Sequence, residues 1–109
     1  MKHALPTQIE NILEVIKKSI QSKNYRFSKH AINRGEERAI SFKDALDVLK
    51  NGFHNEKKTS FDPKRRTWKY AIEGIIDDAI DVRVIVAFES GMVIITVIRL
   101  VKKKVRRKS

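Results

Sequence analysis

DVRVIVAFESGMVIITVIRLV, residues 81–101, decides the fold of this chain. Val82, Val84, Val86 and Phe88 alternate with Arg83, Ile85, Ala87 and Glu89, the period of two that a half-buried strand requires. Ser90-Gly91 is a tight hairpin turn, and residues 92–101 return as the most apolar strand of the sequence. Thr96, Arg83 and Arg99 interrupt otherwise apolar rows. Alternation places Thr96 between Ile94 and Ile98 on one face, and Arg99 on the other, in line with Ile95 and Val97.

Working back towards the N-terminus, residues 67–74 set Trp68, Tyr70 and Ile72 against Thr67, Lys69, Ala71 and Glu73, which is again a strand. Phe61-Asp62-Pro63-Lys64 reads as a turn, and residues 53–60 as a further strand. Ahead of Gly52 the period becomes helical. Ile9, Ile12, Leu13, Ile16 and Ile20, following Pro6-Thr7, mark an amphipathic helix of about four turns. SKNYRF, residues 22–27, is a connector or a short strand. Ser41 with Asp44 forms a capping pair for a helix over 42–50 that buries Phe42, Ala45, Leu46 and Leu49, and Asn51-Gly52 ends it as a Schellman-type stop. The expected fold is α+β, with N-terminal helices packed in two layers on an antiparallel sheet of three or four strands. Residues 1–101 form one domain and residues 102–109 a basic tail.

Between the first and last helices lies SKHAINRGEERAI, residues 28–40, capped by Ser28. Its Gly35 costs a helix interior about 1 kcal/mol relative to Ala. His30, Arg34, Glu37 and Arg38 stand at i, i+4, i+7 and i+8 on one face, opposite Ala31, Ile32, Gly35 and Ala39. Arg34 and Arg38 are like charges one turn apart, a pairing that costs an isolated helix ~0.2–0.5 kcal/mol. An anion over that face removes the penalty, and in a basic protein phosphate is the obvious one.

Basic it is: 24 Lys and Arg oppose 13 Asp and Glu among 109 residues, a formal charge of +11. Six of the cations lie in KKKVRRK, namely Lys102, Lys103, Lys104, Arg106, Arg107 and Lys108. This balance points to nucleic acid, an acidic protein or an anionic surface as partner. A second basic region, Lys57, Lys58, Lys64, Arg65 and Arg66, flanks the turn after Phe61 and can track an RNA backbone. The chain has no cysteine, which excludes disulfides and thiolate metal sites. His3, His30 and His54 are far apart in sequence, and no phosphate-loop, Ser-His-Asp or HExxH pattern occurs, so no metal and no organic cofactor is expected. No apolar run approaches the ~18 residues of a membrane span. The acidic, interrupted N-terminus is unlike a signal peptide, and the expectation is a cytoplasmic protein.

SKHA with Arg34, Glu37-Arg38 and Ile40, then a short helix, Gly52 and a closing VIITVIRL resemble a bacterial family known as a domain of unknown function. That family looks like a relative of the BrnT- and RelE-type toxins of toxin–antitoxin pairs. The resemblance covers residues 26–101. It implies an RNase-like two-layer fold, metal-independent RNA cleavage, with ribosome-bound mRNA as one substrate, and a cognate antitoxin as partner. Carried over residue by residue, it makes His30, Arg34, Glu37, Arg38 and Thr96 the catalytic candidates. Lys69, Tyr70 and Arg99, together with Lys102, Lys103 and Lys104 of the tail, join the RNA-binding candidates on their chemistry alone.

Such cleavage uses the 2′-OH as internal nucleophile and needs a base, an acid and cations for the phosphorane. His30 or Glu37 suits the proton transfers, because histidine titrates near neutrality and burial raises a carboxylate's pKa. Arg34 and Arg38 offer forked donors to phosphate, and Tyr70 or Trp68 a ring for a base. Plainer roles stand beside these: His30 as padding at the helix start, Glu37 as the i,i+3 partner of Arg34, Trp68 as core, Thr96 as strand filler. Two other function classes remain, a non-catalytic nucleic-acid-binding module and a basic domain docking an acidic partner.

Overall fold

The computed structural model describes residues 5–100. Three helices, α1 (Ile12–Gln21), α2 (Lys29–Arg38) and α3 (Phe42–Asn51), lie against a six-stranded sheet. Its strands are β1 (Tyr25–Phe27), β2 (Phe53–His54), β3 (Ser60–Asp62), β4 (Thr67–Ile76), β5 (Ile80–Phe88) and β6 (Met92–Arg99). Their order is β1–β6–β5–β4–β2, with β3 also paired to β4. The fold is therefore α+β, with a larger sheet than the three or four strands expected. The added strands are short: β1, β2 and β3 have three, two and three residues, too few to display a period. The sheet is also mixed rather than antiparallel, because β1 runs parallel to β6, with Tyr25, Arg26 and Phe27 beside Met92, Val93 and Ile94.

The core lies between sheet and helices. Val82, Val84 and Val86 of β5, Tyr70 and Ile72 of β4, and Met92, Ile94 and Val97 of β6 meet Ile12 and Ile16 of α1, Ala31 of α2 and Ala45, Val48 and Leu49 of α3. The period-two reading of β4 and β5 is thus the core-facing row. In β6 that reading breaks. Ile85 stands opposite Thr96 but Val86 opposite Ile94, so Ile95 is the extra residue of a β-bulge. Ile94 and Val97, three apart, consequently share the buried face. Thr96 is separated from Ile94 and stands with Ile98 on the face away from the helices. Arg99 keeps its row with Val97 but not with Ile95.

Other differences have local causes. Helix α1 starts at Ile12 rather than near Thr7, because the preceding segment is strapped to β4: Trp68 Nε1 donates to the Pro6 carbonyl (2.7 Å) and the Ile9 N–H to Tyr70 Oη (2.9 Å). The strand expected over 53–60 is broken by a 3-10 turn, Glu56–Lys58, which Asn55 caps by accepting the Lys58 N–H. Ser41 and Asp44 form the reciprocal capping box expected of them. Phe42, however, is 55% exposed and stacks on Phe27 with ring centroids 4.5 Å apart, while Val48 takes its place inside. Nor is Gly52 a Schellman glycine: its backbone is extended (φ −86°) and its N–H returns to the Val48 carbonyl. Glycine is needed there because a Cβ would stand 2.3 Å from the Glu73 carbonyl of β4.

The Schellman stop occurs one helix earlier. The Ile40 N–H reaches the Gly35 carbonyl (2.8 Å) and the Ala39 N–H that of Glu36 (3.4 Å), with Ala39 left-handed at φ 55°. The returning chain lays the Ile40 carbonyl where a Gly35 Cβ would be, 2.8 Å away, with Val97 of β6 beyond. Gly35 is therefore a contact residue. Gly35→Ala should cost ~1–3 kcal/mol through overpacking, the opposite sign to the ~1 kcal/mol gain that helix propensity alone gives. Urea unfolding distinguishes the two, and a stabilised Gly35→Ala protein would show that α2 is not held this closely.

Candidate nucleic-acid interface

Helix α2 carries the motif and is fixed to β6 at both ends. At its start, Ser28 caps the Ala31 N–H (3.0 Å) while its hydroxyl donates to the Ile95 carbonyl (2.9 Å). At its end, Arg38 Nη1 donates to the Val97 carbonyl (2.7 Å). Strand β1 pairs with β6 only as far as Ile94, so Ile95 and Val97 lie on the stretch of edge that β1 leaves uncovered. The side chains of the α2 N-cap and of its last residue cover it instead, two residues apart along the strand.

This geometry divides the four motif residues. Arg38 is anchored: its guanidinium is held by the sheet. Arg34 pairs with Glu37 at 2.6 Å, the side chains 38% and 57% exposed, the i,i+3 pairing that was one of the two expectations for Glu37. A pair so open to water contributes little to stability, ~0–1 kcal/mol. His30 is exposed on the first turn. Sequence reasoning passed over its neighbour Lys29, also exposed. The first turn of α2 holds no acidic residue, so two basic side chains stand at the positive end of the helix dipole. Each such cation opposes the dipole by ~0.3–1 kcal/mol when charged. The signal was legible as SKH at a capped helix start.

The remaining candidates are dispersed. Thr96 stands on the sheet face turned away from α2, which separates its hydroxyl from the motif it was grouped with. Lys57 and Lys58 are exposed on the 3-10 turn. Lys64, Arg65 and Arg66 are exposed in the turn between β3 and β4, where Asp62 Oδ1 accepts the Lys64 and Arg65 N–H groups and the Arg65 side chain lies 3.4 Å from Glu89. Lys69 is half-buried beside Ser60. Arg99 is exposed at the end of β6. Tyr70 is no stacking platform: it is 2% exposed, and its hydroxyl holds the Ile9 N–H. Trp68 is half-buried, edge-on to Phe61 and bonded to Pro6. Lys102, Lys103 and Lys104 fall outside the described residues. Among the described residues no three His, Asp or Glu side chains gather as metal ligands, and no helix is long and apolar enough to cross a membrane.

The division between Arg38 and Arg34 is measurable. Arg38→Met should lose ~1.5–3 kcal/mol, the worth of a hydrogen bond to a charged group, whereas Arg34→Met should stay within ~1 kcal/mol of wild type. Equal losses in urea unfolding would contradict the division.

No curated protein and no solved structure matches the chain. A family model for the domain of unknown function DUF4258 matches residues 27–99, from the last residue of β1 to the end of β6. The segment it spans contains α2, its edge contacts and the whole β4–β5–β6 meander, and the chain belongs to the DUF4258 family.

Proposed function

We propose that this protein acts on RNA as a toxin-like ribonuclease related to the RelE and BrnT toxins, with the exposed face of α2 as its phosphate-binding and catalytic surface. The observation that carries the reading is the first turn of α2: Lys29 and His30 on a capped helix start without an acid, one turn from Arg34, on a helix clipped to the sheet edge. An RNA phosphate relieves the charge opposition there and gains backbone N–H donors and a fixed cation.

The chemistry follows from those groups. A phosphodiester entering this face competes with Glu37 for the Arg34 guanidinium. The ribose 2′-oxygen attacks phosphorus as its proton passes to His30 or to the released Glu37 carboxylate. The P–O5′ bond then breaks, the 5′-oxygen takes its proton from the His30 imidazolium, and a 2′,3′-cyclic phosphate forms. Arg34 and the helix N-terminus hold the phosphorane charge. Arg38 acts through position. The cations of the β3–β4 turn, Lys57, Lys58 and the tail add salt-dependent attraction, and the same charges suit an acidic antitoxin segment or a ribosomal RNA surface. The working compartment of such a protein is the cytoplasm.

One observation favours a non-catalytic RNA-binding module as second reading: both guanidiniums of α2 already have protein partners. Induced expression in a bacterial host, with RNA 5′ ends mapped afterwards, separates the two. The ribonuclease reading predicts new ends from the wild type and none from His30→Ala/Arg34→Ala at equal soluble expression. Absence of new ends from the wild type overturns it in favour of binding alone.

A further inference from the structure

At the opposite end of the sheet from the β3–β4 turn lies an apolar groove that the RNA reading does not use. Its rim is built by register on the face away from the helices. Leu100, whose N–H donates to the Asp81 carbonyl (2.8 Å), continues the row Asp81–Ile75, and Ile98 begins the row Arg83–Glu73–Phe53. Phe53 and Ile75 are 57% and 63% exposed, two of the largest apolar side chains left in water. Phe53, Gly74, Ile75, Asp81 and Leu100 line one cavity of about 270 Å³. A second, of about 520 Å³, continues past Phe53 to Val48 and Asp47 of α3.

The charge around this groove runs against that of the chain. Glu73 is engaged by Arg83 (2.7 Å) and Asn55 (2.8 Å), and Asp47 by Lys43 (3.1 Å). Asp81 lines the groove, and Asp77 and Asp78 stand exposed in the adjoining β4–β5 turn. An acidic rim on a +11 protein selects a basic occupant, and self-pairing of two grooves would set acid against acid. The nearest basic segment begins where the groove does. Leu100 is a lining residue, and the sequence goes on as VKKKVRRKS, two valines among six cations. Nine residues reach up to ~30 Å, far more than the groove requires.

We propose that residues 101–109 dock in this groove of their own chain, the lysines and arginines drawn by Asp77 and Asp78 and the two valines by the apolar lining of Phe53, Ile75 and Leu100. The tail then has two alternative partners, this groove and any polyanion that outcompetes it, and the docked form withholds six positive charges from solution. The inference stands independently of whether the protein cleaves RNA.

The absence of cysteine makes the test direct. A nitroxide on Ser109→Cys should selectively remove the amide NMR signals of Phe53, Gly74, Ile75 and Asp78. The signals should return at high salt, and also in Asp77→Asn/Asp78→Asn, where asparagine keeps the left-handed backbone of both positions (φ 50° and 61°). Ile75→Lys, at a largely exposed position, should restore them independently. Uniform signal loss, or loss centred elsewhere, overturns the proposal. So does loss that appears in a mixture of nitroxide-bearing and isotope-labelled chains, since that places the tail on a second copy or an intermolecular surface.

Discussion

Everything distinctive about this molecule depends on how α2 closes the uncovered edge of β6. An open strand edge exposes backbone groups that another chain can pair with. Here the pairing with β1 ends at Ile94, where the chain passes into α2, and Ser28 and Arg38 meet the next two carbonyls on that edge, those of Ile95 and Val97. Close approach is possible because Gly35 and Ala31, both buried, give the helix a nearly smooth inner surface. The price is a left-handed Ala39 in the tight turn to α3, a conformation that costs an L-residue roughly 1–2 kcal/mol. A helix anchored at both ends presents its outer face rigidly, which is the property a phosphate site needs.

The sequence shows clearly those features that repeat or cap. The alternation of Val82, Val84 and Val86 and the Ser41–Asp44 pair were both legible, because each depends on neighbours in the chain. Features set by distant partners were not. Nothing local announces that Tyr25–Phe27 will lie parallel to β6, or that Tyr70 will hold the Ile9 N–H sixty-one residues away. The bulge is the instructive case. A strict period of two groups Thr96 with Ile94, and one inserted residue is enough to send them to opposite faces. Gly35 and Gly52 were visible as helix weakeners and stops, yet both are small because another stretch of backbone passes close by.

The candidate site was partly legible for the same reason. Helical spacing alone gathers His30, Arg34, Glu37 and Arg38, and α2 does bring them onto one element. It could not divide the two arginines, since the carbonyl that holds Arg38 is fifty-nine residues away. Charge also distributes unevenly over the molecule. Cations collect on the first turn of α2 and the β3–β4 turn, while Asp77, Asp78 and Asp81 cluster at the β4–β5 hairpin. A single figure of +11 conceals that polarity, and the polarity is what orients an anionic partner.

The claim on which the functional account rests is that an RNA phosphate meets the start of α2. Titrating isotope-labelled protein with an RNA oligonucleotide made inert by 2′-O-methyl groups, and following backbone amide shifts, tests it without requiring cleavage. The account predicts that the largest shifts fall on residues 29–34, with smaller ones in the β3–β4 turn. Shifts confined to that turn, with α2 unmoved, would contradict it.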